Sequence, residues 1–373
     1  MMIPLSAPDI TEAEIEAVVA VLRTSRLSLG AVTEQFESAV AEYVSVPHAV
    51  AVSSGTAGLH LCIRALGIGE GDEVIVPSFT FIAAANAVRY ERAIPVFADI
   101  DSCTLNIAPE RIEEAITPRT RAILVVHTFG VPAEMTAIFE IAERHGLLVI
   151  EDACEAIGAE YRGRRVGSMG NAGVFAFYPN KQITTGEGGV VVTRDETLAR
   201  RIRALRNQGR YESDDWFQHT ELGYNYRISD INCALGLAQM ARLEEILQKR
   251  ADVASAYDRR LSVIPELSLP PLALAAGRIS WFIYAVRLST PAHLEREAIM
   301  RSLAAAGIAS GRYFAPIHLQ PSYAAWRHSA NLPVTEAEAS RTLALPFFNN
   351  IEAEAIGHVC DTLGRLLLSR QAP

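Results

Sequence analysis

Apolar positions along the chain follow two alternating periods. Between residues 12 and 24 they recur at Ile15, Val18, Val19 and Leu22, one face of a predicted helix. A second apolar-faced helix is predicted over 56–66, opened by Ser53-Ser54-Gly55. Short β-branched runs then alternate with helical patterns. The runs at 73–77, 94–98, 122–127, 147–151, 173–178 and 188–193 read as strands, and 82–91, 109–115, 134–145 and 196–207 as helices. A continuous apolar run such as Leu147-Leu-Val-Ile is buried on both faces, so the sheet is parallel or mixed and covered by helices. A long helical stretch follows from 229 to about 261, then a strand at 280–288 and a helix at 294–306. The expected fold class is α/β, with a large domain over residues 1–250 and a smaller α+β domain over 251–373.

Composition narrows the function classes. With 34 Lys+Arg against 43 Asp+Glu the net charge is −9, which disfavours a protein built to coat nucleic acid or an anionic membrane. Half the residues are hydrophobic and 21% are charged, enough for a sizeable core. The longest charge-free run of note, from Val74 to Val88, contains Pro77 and is too short to span a bilayer. The N-terminus has neither a basic start nor an apolar segment behind it. Five scattered cysteines read as reduced thiols, so a cytoplasmic enzyme is expected. The nine histidines are dispersed, and no metal site is expected.

Most short motifs dissolve on inspection. The glycines at 67, 69 and 71 precede a strand rather than a helix, so they form a turn and not a dinucleotide loop. The arginines at 200, 201, 203, 206 and 210 have the spacing of a solvated helix face. Three segments resist a purely structural reading. Ser53-Ser54-Gly55-Thr56-Ala57-Gly58 opens a helix and offers N–H groups and a hydroxyl to an anion. Asp152 closes a buried strand, where open α/β sheets place ligands. Lys181 leaves an aromatic strand, Phe175-Ala-Phe-Tyr-Pro-Asn-Lys, into a loop containing Gly186-Glu-Gly-Gly189. An anion cradle, a strand-end aspartate and such a lysine together describe a pyridoxal phosphate site: the aspartate keeps the ring nitrogen protonated and the lysine anchors the cofactor and moves the proton.

These motifs, with Val-Pro-Ser-Phe-Thr-Phe at 76–81, Glu-Asp-Ala-Cys-Glu-Ala-Ile-Gly-Ala at 151–159, Leu-Gly-Tyr-Asn-Tyr-Arg at 222–227, Tyr-Phe-Ala-Pro-Ile-His-Leu-Gln at 313–320 and Ala-Leu-Pro-Phe-Phe at 344–348, carry a resemblance over nearly the whole length. The chain resembles the DegT/DnrJ/EryC1/StrS sugar aminotransferases, which have the aspartate-aminotransferase-like fold (pyridoxal phosphate fold type I). The resemblance implies a pyridoxal 5'-phosphate enzyme with Lys181 and Asp152 as catalytic residues. It places Thr56, Ala57, Phe81, Glu155 and Asn225 at the cofactor, with Asn225 reaching the phosphate from a neighbouring subunit of a homodimer. Ser28, Arg227, Tyr313 and His318 resemble positions that line the acceptor. The implied reaction moves an amino group from L-glutamate to a nucleotide-linked keto sugar, of the 4-keto-6-deoxy type. Alternatives are a cyclitol or aminoshikimate-type ketone as acceptor, or a cofactor-binding regulatory protein without turnover. Two positions depart from many relatives. Ala176 stands where they carry a phosphate-binding Ser, and Glu155 where they carry Gln or His.

Overall fold

The alternation closes into one seven-stranded sheet in the computed structural model, which describes residues 2–275, 277–289, 293–329 and 331–368. Its strands are β1 (His48–Val52), β2 (Glu73–Pro77), β3 (Ile94–Ala98), β4 (Thr120–Val126), β5 (Leu148–Asp152) and, beyond the short hairpin β6 (Glu160–Tyr161) and β7 (Arg164–Arg165), β8 (Ala172–Ala176) and β9 (Gly189–Thr193). Their order across the sheet is β1-β9-β8-β5-β4-β2-β3. Strands β3, β2, β4, β5 and β8 are parallel, and β9 runs against both its neighbours. The parallel strands therefore end along one edge, where Pro77, Val126, Asp152 and Ala176 lie.

Helices cover both faces. They are α1 (Glu12–Leu22), α2 (Ala31–Val44), α3 (Gly55–Ala65), α4 (Ala83–Tyr90), α5 (Pro109–Glu114), α6 (Met135–His145) and α7 (Glu196–Arg206). Phe36, Val40 and Val44 of α2 and Ile138 of α6 pack on one face, with Ile75, Ile123 and Val149 of the strands. Leu59 and Ile63 of α3, Val88 of α4 and Ile202 of α7 pack on the other, with Val50, Val74 and Ile150. Helix α2 is absent from the pattern-based reading, although Phe36, Val40 and Val44 have helical spacing.

The long helix expected over 229–261 is two helices, α8 (Asp230–Ala241) and α9 (Leu243–Leu261). The chain bends at Arg242 (φ −109°, ψ 7°). Leu243, Ile246 and Leu247 of α9 pack in the large-domain core, while Val253, Tyr257 and Leu261 enter a second core. That second core holds β10 (Leu267–Ser268), β12 (Tyr284–Leu288), α10 (His293–Ala305), β13 (Thr342–Leu345) and α12 (Ala353–Leu368), while β11 (Gly277–Arg278) joins the β6–β7 hairpin and α11 (Pro333–Arg341) precedes β13. The division expected at 250/251 falls inside α9. Ile3 also packs in this second core and donates its N–H to Gly307 O at 2.8 Å, so the N-terminus belongs with the C-terminal unit.

Helix α1 reverses expectation about its faces. Its buried residues are Glu14 and Val21, whereas Ile15 is 47% and Leu22 55% exposed. A polar lock sets this orientation. Glu14 accepts the N–H of Thr11 at 2.7 Å in a capping box, and its carboxylate also receives Gln239 Nε2 at 2.8 Å and Arg242 Nη1 at 2.9 Å. Burial opposes ionisation of Glu14, but the bonds from Thr11, Gln239 and Arg242 outweigh it and hold the carboxyl down to about 2. A carboxyl depressed on folding stabilises the fold above its unfolded value of 4.5, and that contribution is lost as pH falls towards about 2. Glu14→Ala is expected to cost roughly 3 kcal/mol at pH 7, the low end for breaking a buried pair. In urea unfolding at several pH values the wild-type advantage should be constant above pH 4.5 and shrink steadily below it. An advantage unchanged down to pH 3 would remove Glu14 as the lock.

Candidate active site

A cleft of about 630 Å³ opens at the edge where the parallel strands end, walled on its far side by Phe282, Arg312, Tyr313 and Phe314 of the C-terminal unit. Its floor begins at α3. Ser54 caps this helix, and its Oγ accepts the N–H of Ala57 at 3.1 Å. Ala57 is thereby turned to its own cap and does not line the cleft. Gly55 and Thr56 do, which leaves the helix's first N–H groups and the Thr56 hydroxyl as the anion cradle. A Cβ on Gly55 would come within 2.6 Å of Ala176 Cβ and 2.9 Å of Cys154 Sγ, so only glycine fits. Ala176 lines the same corner without a hydroxyl, and the cradle's donors come from α3.

The end of β5 separates two carboxylates by the alternation of strand side chains. Glu151 is fully buried away from the cleft. It accepts the N–H groups of Gly167, Met169 and Gly170 at 2.6–2.7 Å and pairs with His127 Nε2 at 3.0 Å. Burial opposes its charge, yet His127 and the backbone donors keep its carboxyl below the usual range. Asp152 faces the cleft and receives the Cys154 N–H at 3.1 Å. Burial raises its carboxyl above the ordinary value, against the pull of Cys154, Lys181 and His127. A buried carboxylate so weakly compensated is suited to a cationic partner from outside the chain.

Lys181 enters from the loop after β8. Its Nζ lies 3.5 Å from Glu155 Oε1 and 4.0 Å from the centroid of the Phe282 ring. The other oxygen of Glu155 accepts the Phe129 N–H at 3.0 Å. Glu155 thus stands inside the cleft beside Lys181. Phe81 also lines the cleft and is 60% exposed, an open ring face on the wall. Asn180, next to the lysine, buries its Oδ1 without a hydrogen-bond partner. A cradle for an anion, an open aromatic face, a carboxylate short of a cation and an amine fit a flat cationic ring that carries a phosphate.

The remaining expected residues are dispersed. Tyr313 lines the cleft, but Ser28, Asn225, Arg227 and His318 do not. Ser28 bridges Ser229, and Arg227 donates to Asn207 Oδ1 at 3.0 Å. Asn225 is exposed, carried between Tyr224 and Tyr226, whose rings stack at 5.0 Å. Both tyrosines are tied to the large domain: Tyr226 OH meets His60 Nδ1 at 3.0 Å, and Tyr224 OH donates to Glu91 Oε1 at 2.9 Å. His318 is buried against Phe97, with Nδ1 2.7 Å from Ser78 Oγ and Nε2 3.2 Å from Glu336. Its place is a tie between the C-terminal unit and the end of β2, not the wall of this cleft. The sequence reading missed Arg312, Asn180 and Phe282. Arg312 and Asn180 sit one residue before Tyr313 and Lys181, inside or beside quoted motifs, while Phe282 has no local signal.

Among the described residues no helix is long and apolar enough to cross a membrane, and no cluster of His, Cys, Asp or Glu could hold a metal ion. Comparison with known proteins agrees with the geometry. The chain is 41% identical over 374 residues, 98% of each chain, to a GDP-perosamine synthase of Caulobacter vibrioides. Its fold matches the aminotransferase TlmJ of Streptoalloteichus hindustanus with a TM-score of 0.94 over all of both chains, at 34% identity. It also matches the PLP form of the putative sugar aminotransferase Spr1654 of Streptococcus pneumoniae, with a TM-score of 0.93 over 99% of each chain at 27% identity. Residues 8–364 match the family's own sequence pattern, and the chain belongs to the DegT/DnrJ/EryC1/StrS aminotransferase family.

Proposed function

We propose that this aminotransferase uses pyridoxal phosphate to move an amino group from L-glutamate to a keto sugar, of the 4-keto-6-deoxy type, carried on a nucleoside diphosphate. The observation that carries this reading is the single cleft shared by Asp152, Lys181 and the mouth of α3. The likeness to a GDP-perosamine synthase supports a nucleotide sugar as acceptor. The bound cofactor supplies an electron sink that acidifies the carbon bearing the amino group. Gly55 and Thr56 would hold its phosphate, and Phe81 would pack against its ring. Asp152 would accept a hydrogen bond from the protonated ring nitrogen and keep that proton in place. Lys181 would anchor the cofactor through Nζ and, as a free amine, carry the transferred proton.

Asn225 and Arg227 are assigned to the site of a neighbouring copy in a homodimer. Three features support this: neither residue lines its own chain's cleft, Trp216, Phe217 and Leu222 are exposed on the same loop, and α1 presents Ile15 and Leu22 outwards. Arg227 there meets the acceptor's diphosphate.

Incubating the purified protein with glutamate, and then with a panel of nucleotide-linked keto sugars and a cyclitol-type ketone, tests the acceptor. Amination of a nucleotide-linked sugar is expected; turnover with the cyclitol-type ketone alone would replace it as the acceptor class. Subunit exchange tests the shared site. Mixed Lys181→Ala and Asn225→Ala proteins should regain activity, because one site of each hybrid carries both lesions and the other neither. No recovery despite demonstrated exchange would defeat the shared site.

A further inference from the structure

Glu155 has the surroundings of a working residue. The residue is 5% exposed, and groups from four directions confront it. From its own segment comes Asp152, backed by His127. From the turn after β4 comes the Phe129 N–H, at 3.0 Å from Oε2. From the loop after β8 come Lys181, with Nζ at 3.5 Å from Oε1, and Gln182, whose Nε2 donates at 2.6 Å to the backbone carbonyl of Glu155. From the C-terminal unit come the Tyr313 hydroxyl and the Phe282 ring, the latter on the far side of Nζ. The backbone bonds pin the carboxyl, and with Oε2 occupied by Phe129 it is Oε1 that faces the amine.

Around Lys181 the charges do not balance if every group is ionised, because Arg312 on the opposite wall is already paired with Glu297. Asp152 and Glu155 are two carboxylates beside one ammonium, and Asp152 is reserved for the cationic ring under the proposed function, on which this inference rests. Lys181 must become a neutral amine before it can attack a carbonyl carbon. We propose that Glu155 is the group that takes the proton from Lys181, so that the lysine becomes nucleophilic without releasing a proton to solvent. One N–H bond of the ammonium breaks and one O–H bond forms at Oε1. The ion pair becomes a neutral amine and a neutral acid, and no oxidation state changes. For a pair this buried the neutral forms are favoured relative to the same exchange in water, because two buried charges vanish together. Burial already raises the Glu155 carboxyl, with Asp152 adding to the effect against the pull of Lys181 and Phe129. The Phe282 ring keeps Nζ within reach of Oε1 in its charged state.

The test is the pH dependence with which the cofactor-free full chain takes up pyridoxal phosphate. While the pair holds one shared proton, the fraction present as amine and acid does not change with pH. Uptake by the wild type should therefore climb less steeply with pH than uptake by Glu155→Gln, where each pH unit should bring about a tenfold rise. Taking the ratio of the two proteins cancels the cofactor's own ionisations. Glutamine can still accept the Phe129 N–H, so a merely structural Glu155 would give parallel profiles, and parallel profiles overturn the proposal. If Glu155→Gln does not fold, Glu155→Asp should keep the shallow profile at a lower level, and one that rises about tenfold per pH unit overturns the proposal equally. Borohydride reduction followed by peptide mapping separates the two levels of failure. Cofactor fixed elsewhere than Lys181 in the wild type defeats the proposed function and this inference with it; cofactor fixed on Lys181 with parallel profiles defeats the inference alone.

Discussion

Lys181→Ala protein is expected to lose both half-reactions, with glutamate and with the keto acceptor, by at least 10²–10⁴-fold, the range that a positioned acid–base group alone contributes. The loss extends beyond that range because, under the proposed function, the same nitrogen anchors the cofactor. Glu155 is left without a cation in a buried cleft, and its carboxyl then takes up a proton rather than stay charged. The fold should survive, since Lys181 is held by Glu155 and the Phe282 ring and by no buried network of its own. Stopped-flow absorbance with glutamate is the direct measurement. Bleaching of the cofactor's visible band at the wild-type rate would show that another group moves the proton. Noncovalent cofactor that borohydride no longer fixes is the accompanying expectation.

The second large effect belongs to Asp152. Asparagine has the same shape and can still accept the Cys154 N–H, so Asp152→Asn removes the charge and little else. Under the proposed function, the proton on the cofactor's ring nitrogen would then lose its counterion. Breaking a buried charge pair costs about 3–5 kcal/mol, which corresponds to both half-reactions falling by roughly 10²–10³-fold or more. Stability of the cofactor-free chain should move the other way. A carboxyl whose value is raised on folding weakens the fold as pH climbs from its unfolded value of 3.8 through the folded one. The asparagine protein should therefore be at least as stable as wild type at pH 7 when free of cofactor. A variant that is both inactive and unfolded would make Asp152 a structural residue, and full activity would remove it from the site.

The legible parts of this molecule are those written within a single element. Asp152 stands out because it closes a buried strand at the edge where open α/β sheets place ligands, and the structure puts it in the cleft. Lys181 stands out because it leaves an aromatic strand into a Gly- and Thr-rich loop. What was hidden depends on partners far along the chain. The faces of α1 are exchanged because Gln239 and Arg242, more than 200 residues away, hold Glu14 inward. Arg242 also marks the bend that divides the expected long helix, yet its helical propensity gives no warning of it. Phe282 is invisible as a site residue because only the packing of the C-terminal unit brings its ring over Lys181. His318 is legible as part of the family pattern, while its enclosure by Ser78, Glu336 and Phe97 is not. The antiparallel course of β9 was equally hidden, since a strand buried on both faces reads the same in either direction.

The paired tyrosines that carry Asn225 bear on how tightly two copies can hold each other. Ordering a flexible side chain at an interface costs about 0.5–1.5 kcal/mol. Tyr224 and Tyr226 already have their rings stacked and their hydroxyls bonded to Glu91 and His60 within one chain. In the proposed homodimer this part of the loop arrives pre-shaped, and roughly 1–3 kcal/mol of ordering entropy for two side chains is spent during folding instead of at assembly.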